Sequence, residues 1–547
     1  MYSDIYSSVN NNGWMTEFVN LKRGVRQGCP LSAQLFILCV EILACRIRQC
    51  KEIDGVQLPS QVEEKQARIA QLADDTTVFV RNEKSINRVL DIMSQFQKVS
   101  GLKINKDKTE AVWIGSLKDS KKVCGKLKWT TEPVKVLGVY VGYNKQKCDE
   151  LNWQPKLEKL ESTLNSWKMR NLTPHGKVLI TKCLGLSNLL YLAAVLDVPP
   201  KVVKKVDKLV FDFIDCSKYK IKKGVLLSPI EKGGLSIPSF YELSLALKFT
   251  WFRKFFDENK ATWKILFSYL LQPHYNESIL KSCIDPNNLP HEISNVLSEF
   301  YIDCLKVWFN MKAKSKRDSK RTLLWNSLYR LFVPVVDQIL HTFTLNEGSE
   351  EIDISKLTTK IVYKLLLDDF LMNTNAIQMW NRECKCIFNE RNVWLLAKRV
   401  TPETKLHSFH WKFTIRRVPT NLRLYQWKKI EAPLCECCRE VDTFRHRFWD
   451  CIVAQNIWKM TENILSDVIK SRVILEFENI IGGISLQTKK IENIVNFIIL
   501  VGKWSIYKCY VCNIHSIFSS KTMFKNELYQ RAQAQKIDIL LRIVQDM

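Results

Sequence analysis

Residues 67–80 (ARIAQLADDTTVFV) constrain the fold more than any other stretch of the chain. Two β-prone runs, 67–72 and 76–80, flank the tetrad 73–76, and aspartates are common where a chain turns. The pattern predicts a β-hairpin with the two carboxylates of Asp74 and Asp75 at its tip. Adjacent carboxylates repel unless a cation screens them or one is protonated. The pair therefore either binds a hard divalent ion such as Mg²⁺ or forms an ordinary solvated turn.

Four motifs in this part of the chain occur in a fixed order. They are GVRQGCPLS at 24–32, ADD at 73–75, SGLKIN at 100–105 and LGVYVG at 137–142, and a helical pattern follows the first of them. In this order and spacing they resemble the later palm motifs of reverse transcriptases from non-LTR retrotransposons. The similarity is strongest to the TX1-like branch of the LINE elements.

The resemblance implies RNA-directed DNA polymerisation primed at nicked target DNA, with the element RNA as template, a DNA primer and Mg²⁺. It implies residues that bind the metal or assist pyrophosphate departure, namely Asp74, Asp75 and Lys108. It also implies residues that contact template, nucleotide, phosphate or the primer end, namely Arg26, Gln27, Gly28, Leu137 and Gly138. A solvated side chain is the alternative for Lys108 and for Arg26.

One half of the expected polymerase site is not recognised in the sequence. Two-metal catalysis needs carboxylates from two strands, with the ions about 4 Å apart. In the family the second aspartate lies on an earlier palm strand, whereas Asp4 lacks the expected surroundings and Leu72 replaces the usual tyrosine. We therefore expect an N-terminally truncated enzyme with negligible polymerase activity alone. The alternative is a non-catalytic nucleic-acid-binding remnant.

A second motif of metal-ligand type lies near residue 440. Its pattern, Cys435-x2-Cys438-x7-His446-x4-Cys451, offers three thiolates and one imidazole, a set typical of structural Zn²⁺. Cys437 is an alternative to Cys438, and free thiols are the alternative to a metal site. The motif resembles the zinc knuckle of non-LTR reverse transcriptases. Nearby side chains offer charge to phosphates and flat faces to unpaired bases, namely Arg439, Phe444, Arg445, Arg447, Phe448 and Trp449.

The charge of the chain favours a polyanionic partner. Lys and Arg number 82 against 56 Asp and Glu, a net charge of +26, and a solubility surface is the weaker explanation. The 18 cysteines are scattered through apolar patterns, which favours reduced thiols. Apolar runs at 178–196 and 491–501 are interrupted by polar residues, so we expect no membrane partner and a nuclear or cytoplasmic location.

These observations predict an α+β chain of five parts. By resemblance they are a partial reverse-transcriptase palm (1–148), a helical thumb and post-thumb region (149–260), a helical connector (261–400), a zinc-knuckle domain (401–470) and C-terminal helices (471–547). Lysines between 201 and 223 are expected to face a nucleic-acid duplex or simply solvent.

Overall fold

The computed structural model describes most of the 547-residue chain. The described residues are 5–21, 24–25, 28–59, 65–214, 221–259, 261–271, 279–281, 285, 295, 297–314, 321–326, 331–336, 342–344, 351–368, 370–372 and 374–546.

The strands of the described residues are short and pair two by two. The pairs are β1–β4, β2–β3, β5–β6, β7–β8, β9–β10, β11–β12, β13–β14 and β15–β16, and β9–β10 is the parallel pair among them. Their bounds are β1 Tyr6–Ser7, β2 Asn10–Asn11, β3 Trp14–Met15, β4 Val19–Asn20, β5 Val56–Gln57, β6 Gln66–Ala67, β7 Ile69–Leu72, β8 Asp75–Val78, β9 Glu110–Ala111, β10 Lys128–Trp129, β11 Val134–Val136, β12 Val139–Val141, β13 Arg321–Asn326, β14 Leu331–Val336, β15 Thr342–Thr344 and β16 Glu351–Asp353.

Helices dominate the remainder of the described chain. They are α1 Pro30–Gln49, α2 Glu83–Ser100, α3 Lys145–Lys168, α4 Pro174–Ile180, α5 Ser187–Val195, α6 Pro200–Ile214, α7 Lys223–Leu227, α8 Phe240–Phe255, α9 Trp263–Leu271, α10 Glu299–Lys314, α11 Thr359–Leu367, α12 Ala376–Cys384, α13 Glu390–Val400, α14 Thr404–Thr414, α15 Asn421–Gln426, α16 Ile452–Ile469, α17 Phe477–Gly482, α18 Lys489–Val511, α19 Ile517–Ala534 and α20 Asp538–Gln545. Short 3₁₀ turns occupy Gly115–Leu117, Ile230–Lys232, Ile279–Lys281 and Ile354–Lys356, and π-helical turns occupy Thr181–Leu186 and His446–Asp450.

The chain divides into two compact units, each built from two segments. Unit 1 comprises Met1–Lys156 and Phe249–Leu357, and unit 2 comprises Leu157–Lys248 and Thr358–Met547. All of the paired strands lie in unit 1, whereas unit 2 is helical. This mixture of helices and small sheets agrees with the predicted α+β class. The division into palm, thumb, connector and knuckle stays a prediction.

The hairpin β7–β8 packs on the first two long helices. Ile69 and Val78 are directly opposite each other in the ladder, and both contact a core formed by the two helices and the loop after α1. The core consists of Leu43, Ile47, Ile53, Val89 and Ile92. Because side chains alternate along a strand, burying this cross-strand pair fixes which face of the hairpin meets the helices.

The predicted hairpin is present, but its turn differs in detail from the prediction. Leu72 pairs with Asp75, so the connecting loop contains only Ala73 and Asp74. Ala73 has a φ of +52°, a value that tight two-residue loops require because their twist must match that of the strands. The expectation of two carboxylates at the tip is therefore corrected, since Asp74 lies in the turn and Asp75 begins β8.

Both helices under the hairpin have the ends that the sequence indicates. Pro30 stands in the first turn of α1, where its missing N–H has no helical partner to lose. At the start of α2 the Asn82 side chain accepts a hydrogen bond from the Ser85 amide at 2.9 Å. Gly101, with a φ of +76°, ends that helix.

The predicted helical connector contains β-structure as well as helices. The strands β13 to β16 lie between residues 321 and 353, inside the segment expected to be helical. The pair β13–β14 is in register from Arg321 opposite Val336 to Asn326 opposite Leu331. Its sequences, RTLLWN and LFVPVV, are rich in apolar, aromatic and β-branched residues, a composition typical of strands.

Three helices in the described residues have the length and apolar composition of a membrane span. They are α1, the continuous helical run Pro174–Val195, and α18. The polar interruptions noted at 178–196 and 491–501 therefore do not exclude the length and composition of a span, because single polar residues such as Lys182 leave the mean hydropathy high. The three differ in packing, since 72% of the α18 window is buried inside the protein against 22% of the α1 window.

Candidate functional site

The Asp74-Asp75 pair is held by backbone pairing and faces solvent. Both side chains are exposed, Asp74 in the turn and Asp75 at the first position of β8. At the next residue pair of the ladder, the side-chain amide of Gln71 donates to the Thr76 hydroxyl at 3.0 Å. The hairpin thus presents two acceptor-only groups, which suit a cation with oxygen ligands.

The base of the same hairpin is tied to the end of α1. The Arg68 guanidinium donates to the carbonyl of Arg48 at 2.5 Å and to that of Cys50 at 2.9 Å. These two carbonyls lie at the helix C-terminus, where orphan acceptors and the negative end of the helix dipole favour a cation. Arg68 therefore fixes the direction in which the turn projects from the helices.

The predicted substrate-binding residues before α1 are described only in part. Gly28 is exposed at a φ of +81°, a left-handed conformation that glycine adopts without strain. Arg26 and Gln27 lie outside the described residues.

Leu137 and Gly138 form the two-residue turn of a second hairpin. The flanking residues Val136 and Val139 pair with each other, and φ is +49° at Leu137 and +84° at Gly138. The buried Asn152 of α3 accepts a hydrogen bond from the Tyr140 amide and donates one to the Tyr140 carbonyl, each at 2.8 Å. The side chain of Asn152 thereby completes the backbone pairing of β12 and holds this hairpin on α3.

Lys108 lies in a turn and its side chain is exposed. The Asn105 side chain accepts a hydrogen bond from the Lys108 amide at 3.2 Å, which shapes the turn. Within the described part of the chain Lys108 forms no ion pair, and no described contact joins it to Asp74 or Asp75. Its predicted role stays a prediction.

The second candidate centre brings four predicted ligands together. One ligand atom from each of Cys435, Cys438, His446 and Cys451 lies within 4.8 Å of the other three. The Cys451 sulfur is 3.9 Å from that of Cys435 and 3.6 Å from that of Cys438. Tetrahedral Zn²⁺ with Zn–S bonds of about 2.3 Å places its sulfurs about 3.8 Å apart, so the observed spacing suits such an ion.

Two local turns build this centre. In the first, the Cys435 amide donates to the Glu440 carbonyl at 2.7 Å, and the Arg439 amide donates to the Cys435 carbonyl at 2.9 Å. In the second, the Cys451 amide donates to the His446 carbonyl at 2.8 Å, which closes the π-helical turn 446–450. The x4 spacing therefore returns Cys451 to the side of His446.

The imidazole of His446 provides a further indication of a ligand. The residue is only 7% exposed, and its buried Nε2 atom has no hydrogen-bond partner among the described residues. A buried nitrogen without a partner is unfavourable unless something binds it. A metal ion beside the three sulfurs would satisfy this nitrogen, so the residues present fit the predicted ion.

Cys437 lies outside the cluster of four. Its sulfur is 3.3 Å from Nδ1 of His515, and Nε2 of the same imidazole is 2.8 Å from a carboxylate oxygen of Glu436. Burial raises the pKa of the Cys437 thiol to about 11. For Cys435, burial alone would raise the thiol pKa, but hydrogen bonds from the amides of Cys438 and Cys437 lower it. Of the two alternatives, Cys438 is the one whose sulfur belongs to the group of four, and the ligand set stays a prediction.

Several residues expected to contact nucleic acid instead support the cluster from inside the protein. Arg447 is 5% exposed, its Nε atom donates to Asp442 Oδ1 at 3.1 Å, and its guanidinium stacks on the Tyr510 ring at 3.2 Å. Phe448 is fully buried. The expectation that Arg447 and Phe448 face phosphates and bases is therefore wrong, because both belong to the core. Arg439 and Arg445 remain exposed.

Sequence reasoning missed the residues that pair with Arg447. Besides Asp442 they include Asn421. The backbone N–H of Asn421 donates to Asp442 Oδ2 at 2.6 Å, and its side-chain oxygen accepts from the Tyr510 hydroxyl at 2.7 Å. Asn421 lies at the start of α15, Asp442 follows the turn that contains Cys435 and Cys438, and Tyr510 lies in α18. The short spacing from Asp442 to Arg447 was the only local signal for this network.

Comparison with known proteins assigns the first part of the chain to a class. Residues 1–141 match the family model of reverse transcriptase (RNA-dependent DNA polymerase). These residues contain both hairpins, the glycine turn before α1 and Lys108. Unit 1 therefore carries a reverse-transcriptase domain.

Two curated relatives come from mobile elements. The chain is 24% identical over 315 residues, 56% of its length, to the Transposon TX1 uncharacterized 149 kDa protein of Xenopus laevis. It is 26% identical over 259 residues, 43% of its length, to the Retrovirus-related Pol polyprotein from type-2 retrotransposable element R2DM of Drosophila melanogaster. The matches span 24% and 22% of those two proteins, so the chain covers about a quarter of each. Residues 1–141 match a reverse-transcriptase family and the chain is similar to two proteins of retrotransposable elements, as its motifs predicted.

Proposed function

We propose that this chain takes part in RNA-directed DNA polymerisation, with RNA as template and DNA as primer. The observation that supports this most is the exposed Asp74-Asp75 turn, which lies inside the segment matched to the reverse-transcriptase family. The net charge of +26 is consistent with both polyanionic partners. A nuclear or cytoplasmic location and the element RNA as template are part of the same proposal.

Asp74 is proposed as the chief ligand of Mg²⁺, with Asp75 in support. Mg²⁺ prefers six oxygen ligands, of which a carboxylate pair supplies a minority while water and nucleotide phosphates supply the others. Bound ions would supply activation of the primer hydroxyl and neutralisation of charge on the transferred phosphate. Because Arg68 anchors the hairpin to α1, the carboxylates are held at a fixed height above the helices.

The substrate roles are proposals that rest on position in the motifs. Gln27 and Gly28 would contact template or nucleotide, and Arg26 a phosphate. Leu137 and Gly138, at the tip of a hairpin held by Asn152, would contact the primer end. Lys108, exposed and without an ion pair in the described chain, would assist pyrophosphate departure.

The Cys435, Cys438, His446 and Cys451 cluster is proposed to hold structural Zn²⁺. Four protein atoms would fill all the positions of a tetrahedral ion and leave none for a reacting water, which is characteristic of structural rather than catalytic sites. The ion would tie the two local turns into one knuckle at the surface of unit 2.

A second candidate function is nucleic-acid binding without catalysis. Helix α6 is amphipathic: Val202, Val206 and Val210 are buried on one face. The opposite face exposes Lys201, Lys204, Lys205 and Lys208. Such a row of lysines along one helix face suits a phosphate backbone, in keeping with the predicted thumb.

A primer-extension assay separates the two functions. With an RNA template, a DNA primer and Mg²⁺, an enzyme extends the primer, and Asp74→Asn reduces extension by on the order of 100-fold or more, since a lost metal ligand removes several kcal/mol of transition-state stabilisation. The exposed Asp119→Asn is the matched control. Template binding without extension favours the second function. Measurable extension by the parent contradicts the expectation that the chain alone has negligible polymerase activity, and its loss in Asp74→Asn then assigns the activity to this hairpin.

Metal binding at the hairpin is measurable without turnover. With Fe²⁺ in place of Mg²⁺, added peroxide generates radicals at the ion that cleave the nearest backbone, and mass spectrometry locates the cut. Cleavage beside residues 73–76 that disappears in Asp74→Asn supports the proposed site. Cleavage that persists in this variant contradicts it.

A further inference from the structure

A long segment of unit 2 is basic without a single acidic residue. Between Thr404 and Ile430 the sequence contains seven Lys and Arg residues and no Asp or Glu. The basic residues are Lys405, Lys412, Arg416, Arg417, Arg423, Lys428 and Lys429. This segment lies outside the residues matched to the reverse-transcriptase family and precedes the first cysteine of the metal cluster.

The end of this segment forms a groove lined by one exposed aromatic ring, Tyr425, and a second exposed ring, Trp427, lies two residues further along the chain. After α15 the chain reverses: the Lys428 amide donates to the Tyr425 carbonyl at 2.8 Å, and the Lys429 amide donates to the Leu424 carbonyl at 2.9 Å. Tyr425 is 47% and Trp427 38% exposed. The residues that line the open groove are Tyr425, Gln426, Lys428, Lys429, Ile430 and Glu431.

Positive charge exceeds negative charge at the groove, whose lining contains two lysines, Lys428 and Lys429, and one carboxylate, Glu431. Arg416 is occupied, since it pairs with Glu383 and stacks on the Trp380 ring at 3.6 Å. Arg423 lies 5.6 Å from the Trp427 ring and donates to the Arg416 carbonyl. Among the described residues no carboxylate lies within ion-pair distance of Arg417, Lys428 or Lys429. An anionic partner would balance this charge.

The chemistry of the groove indicates the class of partner. Exposed rings flanked by cations match the way proteins hold single strands, in which bases stack on aromatic faces and cations follow the phosphates. A duplex keeps its bases paired and offers no free face to a tyrosine or tryptophan. An acidic protein would use the cations but would gain little from flat rings.

We propose that Tyr425, Trp427, Lys428 and Lys429 form a binding site for single-stranded nucleic acid. Unpaired bases stack on Tyr425 and Trp427, while Lys428, Lys429 and Arg417 contact the phosphates. The site lies in unit 2, whereas the carboxylate hairpin lies in unit 1. It deepens the proposed function by naming single strands as a partner of unit 2, and it requires no polymerase activity.

The test measures binding of the full chain to a labelled single-stranded RNA of about 20 nucleotides and to the matching duplex, by fluorescence anisotropy between roughly 50 and 200 mM salt. The variant Tyr425→Ala/Trp427→Ala is expected to weaken single-strand binding by about 10- to 100-fold, with duplex binding nearly unchanged. The variant Lys428→Gln/Lys429→Gln is expected to reduce the slope of log K against log salt by about 1.4, because each phosphate contact to a single strand contributes about 0.7.

Matched controls remove the same groups elsewhere. Phe518→Ala deletes a ring that is 80% exposed, and Lys470→Gln/Lys521→Gln deletes two exposed lysines. Both controls are expected to bind the single strand within about twofold of the parent. Ultraviolet crosslinking of the unmodified chain to the same RNA gives a readout independent of mutant folding, and the crosslinked peptide is expected to contain Tyr425 or Trp427.

Each contrary outcome has a distinct meaning. If the parent binds single strands but the aromatic variant binds them equally well and the crosslink lies elsewhere, this site is wrong and the proposed function stands. If poly-glutamate of equal charge displaces the RNA and the rings have no effect, the groove binds acidic protein instead. If the parent binds no nucleic acid, both this site and the proposed function fail.

Discussion

The carboxylate hairpin and the Cys/His cluster are two metal-ligand patterns in one chain, and they are built in opposite ways. Asp74 and Asp75 are exposed on a turn that is supported from its base, by backbone pairing, by Arg68 and by the packing of Ile69 and Val78 on the helices. In the cluster, His446 and Cys451 are buried and four ligand atoms converge within 4.8 Å. A structural site can be completed within one short segment, 435–451. A polymerase site must stay open for substrates and needs ligands from distant segments.

The surroundings of the two sites differ in the same sense. Next to the cluster, Asp442 and Arg447 form an ion pair in which both side chains are almost fully buried. On the hairpin, solvent rather than protein solvates the charges. We therefore expect substitutions at the cluster to act on folding, and substitutions at the hairpin to act on metal binding and chemistry alone.

The largest effect is expected from removing one cluster ligand. Cys438→Ser should abolish stoichiometric Zn²⁺ binding and destabilise unit 2 by several kcal/mol, because the free energy of structural metal binding is also free energy of folding. Elemental analysis and thermal unfolding with and without a chelator measure both quantities. Addition of the chelator to the parent chain should produce the same loss of stability.

The neighbouring thiol provides the control for this experiment. Cys437→Ser removes a sulfur that contacts His515 and is not one of the four clustered ligand atoms, so Zn²⁺ content should be unchanged. A variant at Cys437 that loses the metal while Cys438→Ser retains it would show that the ligand set is wrong. It would also remove the contrast between a closed and an open site.

A smaller effect is expected from the ion pair behind the cluster. Asp442→Ala leaves the Arg447 charge buried without its partner, which destabilises proteins by about 3–5 kcal/mol. The matched control is Asp450→Ala: its partner Arg445 lies 3.8 Å away, and both side chains are about half exposed. Loss of such a surface pair changes stability by about 0–1 kcal/mol. Urea unfolding of both variants measures the difference, and equal effects would contradict the buried support.

The core of unit 2 also contains a lysine whose protonation depends on folding. Burial lowers the pKa of Lys503 from its ordinary value of 10.5 to about 7, and its ammonium donates to the Ile480 carbonyl at 2.7 Å. The neighbouring His410, with a pKa lowered by burial to about 3, stays neutral in this range. Between pH 7 and 10.5 the unfolded chain therefore binds more protons than the folded chain at this position.

Stability should consequently rise with pH across this window, by at most about 1.4 kcal/mol per pH unit. Lys503→Met removes that contribution, so its stability relative to the parent should be greatest near pH 7 and should decline toward pH 10. Lys490→Met, an exposed lysine of the same helix, should leave the slope unchanged. Denaturant midpoints at several pH values test this. Parallel curves for parent and Lys503→Met would contradict it.

Local sequence patterns predicted the backbone elements that position the residues of both sites. The β-prone runs around Asp74 gave the hairpin, Pro30 and Gly101 marked helix ends, and the x2 and x4 spacings brought the cluster ligands together. In each case residues a few positions apart determine the geometry. The similarity of residues 1–141 to reverse transcriptases followed from the order of the four motifs.

Other features depend on residues far apart in the chain, which no local pattern encodes. The sequence favours a phosphate contact for Arg447, whereas the fold buries its guanidinium against Tyr510 and Asp442. Asp75 was predicted in the turn but lies in β8, because the register of the strand pairing, rather than residue propensity, decides where the turn begins. The sequence pattern of segment 261–400 predicted helices, whereas part of the segment forms the paired strands β13 and β14. The role of Lys108 stays a prediction, since neither its local turn nor its contacts test it.

The smallest expected effect concerns the turn of the second hairpin, Leu137-Gly138, in unit 1. Leu137 occupies a left-handed conformation with φ of +49°, which costs most non-glycine residues about 1–2 kcal/mol. Asparagine tolerates this region, and Asn-Gly is the preferred pair for such two-residue turns. Leu137→Asn should therefore stabilise unit 1 by about 0.5–1 kcal/mol. Leu102→Asn, at a leucine that is also about 42% exposed but lies outside the left-handed region, should give no such gain. If Leu137→Asn also weakens primer extension, the strained leucine is retained for contact with substrate, as expected at an open functional site and not at the closed cluster.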